Sequence, residues 1–441
     1  MDAQDRTMPD SPAAGGTAAP QDSAAAEDTA AAQNATAAQN LAHACTQQAS
    51  GKENTYDLTE HYIAHTYGRF PLTLVDGQGS LAHGADGREY IDLGTGIAVN
   101  GFGMADPEWA QAVYEQLRTL AHTSNLYYTD PPAQLARLLC ERTGMARVFF
   151  ANSGAEANEA AIKVARKYSA QAHGSERYTI LTLRGSFHGR TLTTLAATGQ
   201  EHYHEQFQPL TPGFTSVDVA DGINAIRQAH ESSPLAGVLI ELIQGEGGVN
   251  VVDPAYVREL SAWCTQHDVP FMIDEVQTGN GRTGYLYAFQ RDHLHPDVVT
   301  TAKGIGGGLP LSACMMNDRM KDVLQPGDHA TTFGANPAIC AGAINILNRI
   351  TPELLDGVKE RSEYIIRELQ GAPGVVGISG LGLMLGVSTC KPASEILAQC
   401  QEHGVLVLTA HDKIRLLPAL NIPMDLLAQA IDVLKTACAP E

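Results

Sequence analysis

The first fifty residues contain no valine, isoleucine, phenylalanine, tryptophan or tyrosine, and Leu41 is their only large aliphatic besides two methionines. Such a segment cannot bury enough apolar surface to offset the entropy of ordering it. Alanine supplies most of its nominal hydrophobicity, and isolated alanine-rich helices are marginal in water. The segment also carries six acids against a single base, Arg6. That is the reverse of an Arg-rich transit peptide, and no apolar run of a secretory signal is present. Residues 1–50 therefore read as a disordered acidic leader.

Cations are scarce throughout. With 29 Lys+Arg against 49 Asp+Glu the formal net charge is −20, which argues against unaided binding of nucleic acid or an anionic membrane. No stretch approaches the ~18 uninterrupted apolar residues of a membrane span. The eight cysteines (45, 140, 264, 314, 340, 390, 400, 438) include no C-x-x-C pair, so they read as mostly buried thiols of a reducing cytoplasm. Also missing are G-x-x-x-x-G-K-[ST], G-x-S-x-G and H-E-x-x-H. Those absences exclude a P-loop NTPase, an α/β-hydrolase elbow and a zincin. The histidine pairs 61/65 and 202/204 have no third ligand at metal spacing, and no metal is expected.

What is present is an alternation of short β-rich runs with helical patterns from Thr55 onward. That pattern implies an α/β fold with a mainly parallel central sheet. VFFA (148–151), YTILTL (178–183), AGVLIEL (236–242), PFMID (270–274) and DVVTTAK (297–303) are apolar runs without alternation, as in strands covered on both faces. Residues 156–168 and 255–267 read as helices. From about residue 350 a helix at 358–370, the runs GLMLGVS, VLVLTA and IRLLP, and a last helix at 425–439 suggest a smaller α+β unit.

Three of these strands end in an ionisable residue: Glu241, Asp274 and Lys303. Ligands of open parallel sheets bind outside the carboxyl ends of the strands, although solvated loop charges would look the same. After VFFA, Ser153 and Glu156 have the spacing of a capping box. With Gly154 and Ala155 they place a helix N-terminus after a strand, which suits a phosphate and equally an ordinary cap. A lysine between a buried strand and the glycines 304 and 306–308 can be desolvated into a nucleophile. Arg190 and Arg415 offer guanidinium forks for carboxylates.

Taken together, ANSGAEANEAAIKVAR, GSFHGRT, IQGEGGV, MIDEVQTGNGRTG, AKGIGGGLP and TTFGANP resemble the class III aminotransferases, from about residue 57 to the C-terminus. The resemblance implies fold type I of the pyridoxal-phosphate-dependent transferases, the aspartate aminotransferase-like fold. It divides the chain into the leader 1–50, a segment 51–104 contributing to a small domain, a large cofactor-binding domain 105–345 and a C-terminal small α+β domain 346–441. It replaces the roughly three domains that length alone allows.

The same resemblance implies pyridoxal 5′-phosphate as cofactor and Lys303 as its Schiff-base lysine. Asp274 would pair with the pyridine nitrogen and Gln277 contact the phenolic oxygen. Val276 would pack on the ring and Phe187 stack on its face, with Glu275 grouped among the cofactor contacts. Ser153, Gly154 and Ala155 match the phosphate loop. Thr332 matches a phosphate ligand donated across a homodimer interface, with Thr331 beside the substrate. Arg190 corresponds to a residue binding a carboxylate of an acylated amino acid. Arg415 corresponds to the one holding the α-carboxylate of substrate or glutamate, and Glu241 to the acid that pairs with Arg415 and swings away.

HTSNLYYTDPPAQLARLL (122–139) and IRLLPALNI (414–422) look most like acetylornithine aminotransferases. The implied reaction carries the terminal amino group of N2-acetyl-L-ornithine to 2-oxoglutarate, in arginine biosynthesis. Other ω-amine donors of the class remain open, namely succinylornithine, succinyl-diaminopimelate, ornithine and 4-aminobutyrate; so does a same-fold aminomutase or racemase. Leu242 stands where the family usually has proline, Ala335 where glycine is common, and GFGMADPE (101–108) replaces a typical G-H-x-H-P segment.

Overall fold

The central sheet has seven strands, in the order Arg147–Ala151, Ser312–Met316, Val298–Thr301, Phe271–Asp274, Leu235–Ile240, Thr179–Leu183 and Phe214–Val217. The computed structural model describes residues 54–440; the expected leader and the N-terminal part of the segment 51–104 lie outside them. Ser312–Met316 runs antiparallel to both of its neighbours, and the other pairs are parallel. All five expected strand runs form, and Phe214–Val217 and Ser312–Met316 are additions to them. Leu235–Ile240 and Phe271–Asp274 are buried along their whole length, which is why their sequences lack alternation.

Helix Gly154–His173 covers one face with Ala157, Ala160, Ala161, Val164 and Ala165 turned inward. Small side chains let its axis lie close: a Cβ on Gly237 would stand 3.0 Å from the Ala165 methyl. Leu260, Trp263 and Cys264 of Pro254–Gln266 join the core on the other side with Val238 and Ile240. Each fully buried large aliphatic contributes roughly 1.5–3 kcal/mol, so this layered core dominates the stability of the region.

A second core gathers around a four-stranded antiparallel sheet in the order Val375–Leu381, Met384–Thr389, Lys413–Leu416, Leu408–Ala410. Helices Pro352–Leu369, Ala393–Glu402 and Met424–Cys438 supply Ile365, Ile396 and Ile431 to it. Helix Pro337–Arg349 crosses the expected boundary at 345, and Ile346, Leu347 and Ile350 belong to the large-sheet core. Residues from Val75 onward form one compact unit, and the described residues 54–74 belong to a separate one. The latter holds helix Thr55–Tyr62, capped by the Asn54 side chain accepting from the Asp57 N–H at 2.8 Å. Among the described residues no helix is long and apolar enough to cross a membrane.

Candidate active site

Three adjacent parallel strands deliver their following residues to one place. Asp274 closes Phe271–Asp274, Glu241 follows Leu235–Ile240 directly, and Lys303 comes two residues after Val298–Thr301. The turn after Thr179–Leu183 brings Phe187, His188 and Arg190, and the turn after Arg147–Ala151 brings Ser153. Together they line a cavity of about 450 Å³. Ser153, Gly154, Ala155, Phe187, Arg190, Glu241, Asp274, Val276, Gln277 and Lys303 all line it.

Asp274 is 4 % exposed and is the most heavily bonded group there. Its Oδ2 accepts from Asn158 Nδ2 at 2.7 Å and from His188 Nδ1 at 2.8 Å, and its Oδ1 accepts from the Val276 N–H at 2.9 Å. Asn158 is itself fixed, its Oδ1 accepting from the Thr300 hydroxyl at 2.7 Å. Three donors satisfy the carboxylate and hold it immobile inside a buried wall. Asn158 and His188 were not singled out from the sequence. Asn158 had a signal, as the polar residue on the alanine face of its helix.

Lys303 sits at φ 51°, in the left-handed region. A side-chain-bearing residue held there is strained, and such strain collects at functional sites. Its amine reaches no hydrogen-bond partner among the described residues and lines the cavity. Burial lowers its pKa to about 8, with Arg415 acting in the same direction and Glu246 opposing.

The phosphate-type features also fit. Ser153 caps helix Gly154–His173, its Oγ accepting from the Glu156 N–H at 3.3 Å and donating to Glu156 Oε2 at 3.0 Å. Gly154 and Ala155 are first-turn residues, whose N–H groups have no carbonyl to bond within the helix. A Cβ on Gly154 would come within 2.7 Å of Val276 Cγ1, so glycine keeps the space between helix end and Val276 open. A half-buried aromatic (Phe187), a buried carboxylate, a free amine and a helix N-terminus form a donor set that fits a phosphorylated, cationic heteroaromatic aldehyde.

Four expected residues stand elsewhere. Glu275 turns into the core, where its carboxylate accepts from the Phe289 N–H at 2.8 Å and the Thr278 hydroxyl at 2.6 Å. Successive residues leaving a strand face opposite ways, so Asp274 and Glu275 do not share the cavity. Burial pushes Glu275 up to about 7. Thr331 Oγ1 accepts from Asn152 Nδ2 at 3.1 Å, just behind the cavity wall, and Thr332 is exposed outside it. In the same turn Ala335 adopts φ 63°, a conformation that glycine takes without cost.

Arg415, 3 % exposed, reaches the cavity through its partners. Here the geometry corrects the expected pairing. Arg415 Nη1 donates to Glu246 Oε1 at 2.5 Å and to Gln277 Oε1 at 3.4 Å, and not to Glu241. Glu241 instead accepts from the backbone N–H groups of Phe187 at 2.8 Å and Gly245 at 3.3 Å. Burial, with Asp274 adding to it, holds the Glu241 carboxyl well above the usual carboxylate range. Burial raises Glu246 too, but the charge and hydrogen bond of Arg415, with Lys303 and Gln277 adding to them, together leave that carboxyl below its ordinary value. Leu242 packs into the large-sheet core.

The comparisons with known proteins agree with this geometry. The model of the family described as aminotransferase class-III matches residues 62–438. An acetylornithine aminotransferase from Haemophilus ducreyi is 47 % identical over 379 residues, covering 86 % of this chain and 96 % of its own. The solved N-acetylornithine aminotransferase from Stenotrophomonas maltophilia superposes with a TM-score of 0.74 at 34 % identity, over 86 % of this chain and 97 % of that one. An ornithine aminotransferase from Toxoplasma gondii, with pyridoxal phosphate at partial occupancy in its active site, gives 0.82 at 30 % identity, over 88 % and 95 %.

Proposed function

From the premise that the chain belongs to the class III aminotransferases, we propose that it transfers the terminal amino group of N2-acetyl-L-ornithine to 2-oxoglutarate, giving N-acetyl-L-glutamate 5-semialdehyde and L-glutamate. The protein is a pyridoxal-5′-phosphate-dependent transaminase of fold type I. The observation that carries the substrate reading is a pair of unlike guanidinium groups at one cavity. Arg190 forms no ion pair or hydrogen bond among the described residues, whereas Arg415 is held by Glu246. A free fork and an occupied fork serve two substrates whose carboxylates lie at different distances from the reacting nitrogen.

When bound, pyridoxal phosphate supplies an electron sink for negative charge on the substrate carbon that bears the amine. Ser153, Gly154 and Ala155 would hold its phosphate, Asp274 its ring nitrogen, and Phe187 and Val276 its two faces. Lys303 Nζ takes the proton from C5 of the donor and later returns one to Cα of the nascent glutamate. A general base works best with a pKa near the working pH, and burial brings this amine down to about 8. Arg190 orients the acetylated donor by its carboxylate while Glu246 keeps Arg415 occupied. When 2-oxoglutarate arrives, its α-carboxylate displaces Glu246 from Arg415.

Thr332 is exposed, Leu126, Tyr127, Tyr128 and Phe333 are uncovered large side chains, and Asn125 Nδ2 ties their two loops by donating to the Gly334 carbonyl at 2.8 Å; this fits a homodimer in which Thr332 serves the partner's phosphate. A donor panel with 2-oxoglutarate as acceptor tests the assignment. N2-acetylornithine should have the highest kcat/KM among acetylornithine, succinylornithine, succinyl-diaminopimelate, ornithine and 4-aminobutyrate. Preference for free ornithine would overturn it.

A further inference from the structure

Arg190 is exposed, and nothing polar holds it. Glu201 and Glu205 lie on the nearby turn, yet neither pairs with it among the described residues. What fixes the side chain is aromatic: its guanidinium carbon stands 4.5 Å from the centroid of the Tyr203 ring and 5.7 Å from that of Phe187. The two rings meet edge-on, with centroids 5.7 Å apart and planes at 70°.

Tyr203 itself is well anchored. It ends the short 3-10 turn Glu201–Tyr203, and its N–H bonds to the Gln200 carbonyl at 3.2 Å. Gln200 Nε2 donates to the Ser186 carbonyl at 3.1 Å, and the His204 ring bonds the Leu195 carbonyl at 2.8 Å. The turn is thus tied to the loop that carries Phe187 and Arg190. The Tyr203 hydroxyl, in contrast, has no hydrogen-bond partner among the described residues.

We propose that Tyr203 is a positioning residue that holds the Arg190 guanidinium by its ring face, leaving the fork free for the donor's carboxylate. This rests on the reading of Arg190 given above. A guanidinium stacked on an aromatic ring keeps all five N–H donors available at its edges, whereas one held by a carboxylate does not. An unstacked, exposed arginine would have to be ordered by each arriving donor, and that entropy is lost at binding. The ring therefore acts on donor affinity and on the choice of carboxylated over uncarboxylated amines, and not on proton transfer at Lys303.

The test compares Tyr203→Leu and Tyr203→Phe holoenzymes on two donors, N2-acetylornithine and N-acetyl-1,4-diaminobutane, the same amine without its carboxylate. Tyr203→Leu should raise KM for N2-acetylornithine about two- to fivefold, as expected for losing one exposed cation–π contact, with kcat nearly unchanged. Its kcat/KM for N-acetyl-1,4-diaminobutane should match wild type. Tyr203→Phe should restore the KM, since the ring and not the hydroxyl is the working part. An unchanged KM, an equal loss on both donors, or a Tyr203→Phe enzyme as impaired as Tyr203→Leu overturns the proposal while the functional reading stands. A wild-type holoenzyme that fails to turn over N2-acetylornithine overturns that reading, and this inference with it.

Discussion

Replacing Glu246 by glutamine removes the charge from the group that occupies Arg415 while keeping its shape. The wild-type contact is a charge-assisted bond of 2.5 Å to a guanidinium that is 3 % exposed. Hydrogen bonds to charged groups contribute about 1.5–3 kcal/mol net, and the neutral version is roughly half as strong. The substitution therefore weakens the hold on Arg415 by about 1 kcal/mol, roughly a factor of five. An incoming 2-oxoglutarate must break that hold, so kcat/KM for the acceptor half-reaction should rise about fivefold. The donor half-reaction should move the other way, because a loosely occupied Arg415 competes with Arg190 for the donor's carboxylate. The assay is single-turnover absorbance of the bound cofactor, with each substrate mixed separately. An acceptor kcat/KM that is unchanged or lower would show that Glu246 does not gate Arg415.

The remaining expectations follow from other groups of the same site. The apoprotein should capture pyridoxal phosphate covalently at a rate that rises with pH through about 8 rather than 10.5, since burial lowers Lys303 and only the neutral amine attacks; a midpoint near 10.5 in stopped-flow reconstitution would contradict it. His188→Ala removes the 2.8 Å bond to Asp274 Oδ2 and leaves that oxygen with Asn158 alone, so cofactor affinity should weaken about fivefold, on the ~1 kcal/mol of one hydrogen bond; equilibrium titration of the apoprotein checks this. Gly154→Ala puts a methyl 2.7 Å from Val276 Cγ1 and should weaken cofactor binding while leaving the fold intact by circular dichroism. Glu275, raised from 4.5 to about 7 by burial, contributes stability that is full below pH 4.5 and lost as pH rises through 7. Glu275→Gln should flatten that dependence by about 3 kcal/mol across the window, read from denaturant unfolding at several pH values; parallel curves for the two proteins would refute it.

Legibility from the sequence followed burial. Strands covered on both faces announce themselves as unbroken apolar runs, and the residues ending them had nowhere to go but the carboxyl edge of the sheet, so Glu241, Asp274 and Lys303 could be placed before any coordinates. Ser312–Met316 was not visible because alanine, cysteine and methionine carry no β-branched or aromatic signature, and Phe214–Val217 because an edge strand half-buried throughout has neither an apolar run nor an alternation. Glu275 was legible in principle: adjacent residues leaving a strand diverge, so only one of Asp274 and Glu275 could face the cavity. The Arg415 partner was not legible. Glu241 and Glu246 lie five residues apart in one loop, and spacing cannot say which of two nearby acids meets an arginine 169 positions later in the chain. The geometry separates them by what else they bond. Glu241 is consumed by two backbone N–H groups, from Phe187 and from Gly245, and so ties the loop carrying Arg190 to the loop carrying Glu246. Glu246 is left to face Arg415 with a single charge-assisted bond and one amide beside it. A carboxylate clamped by two main-chain donors cannot swing without unmaking both, whereas one held only by side chains can, and that difference supports Glu246 over Glu241 as the acid that moves in the proposed exchange.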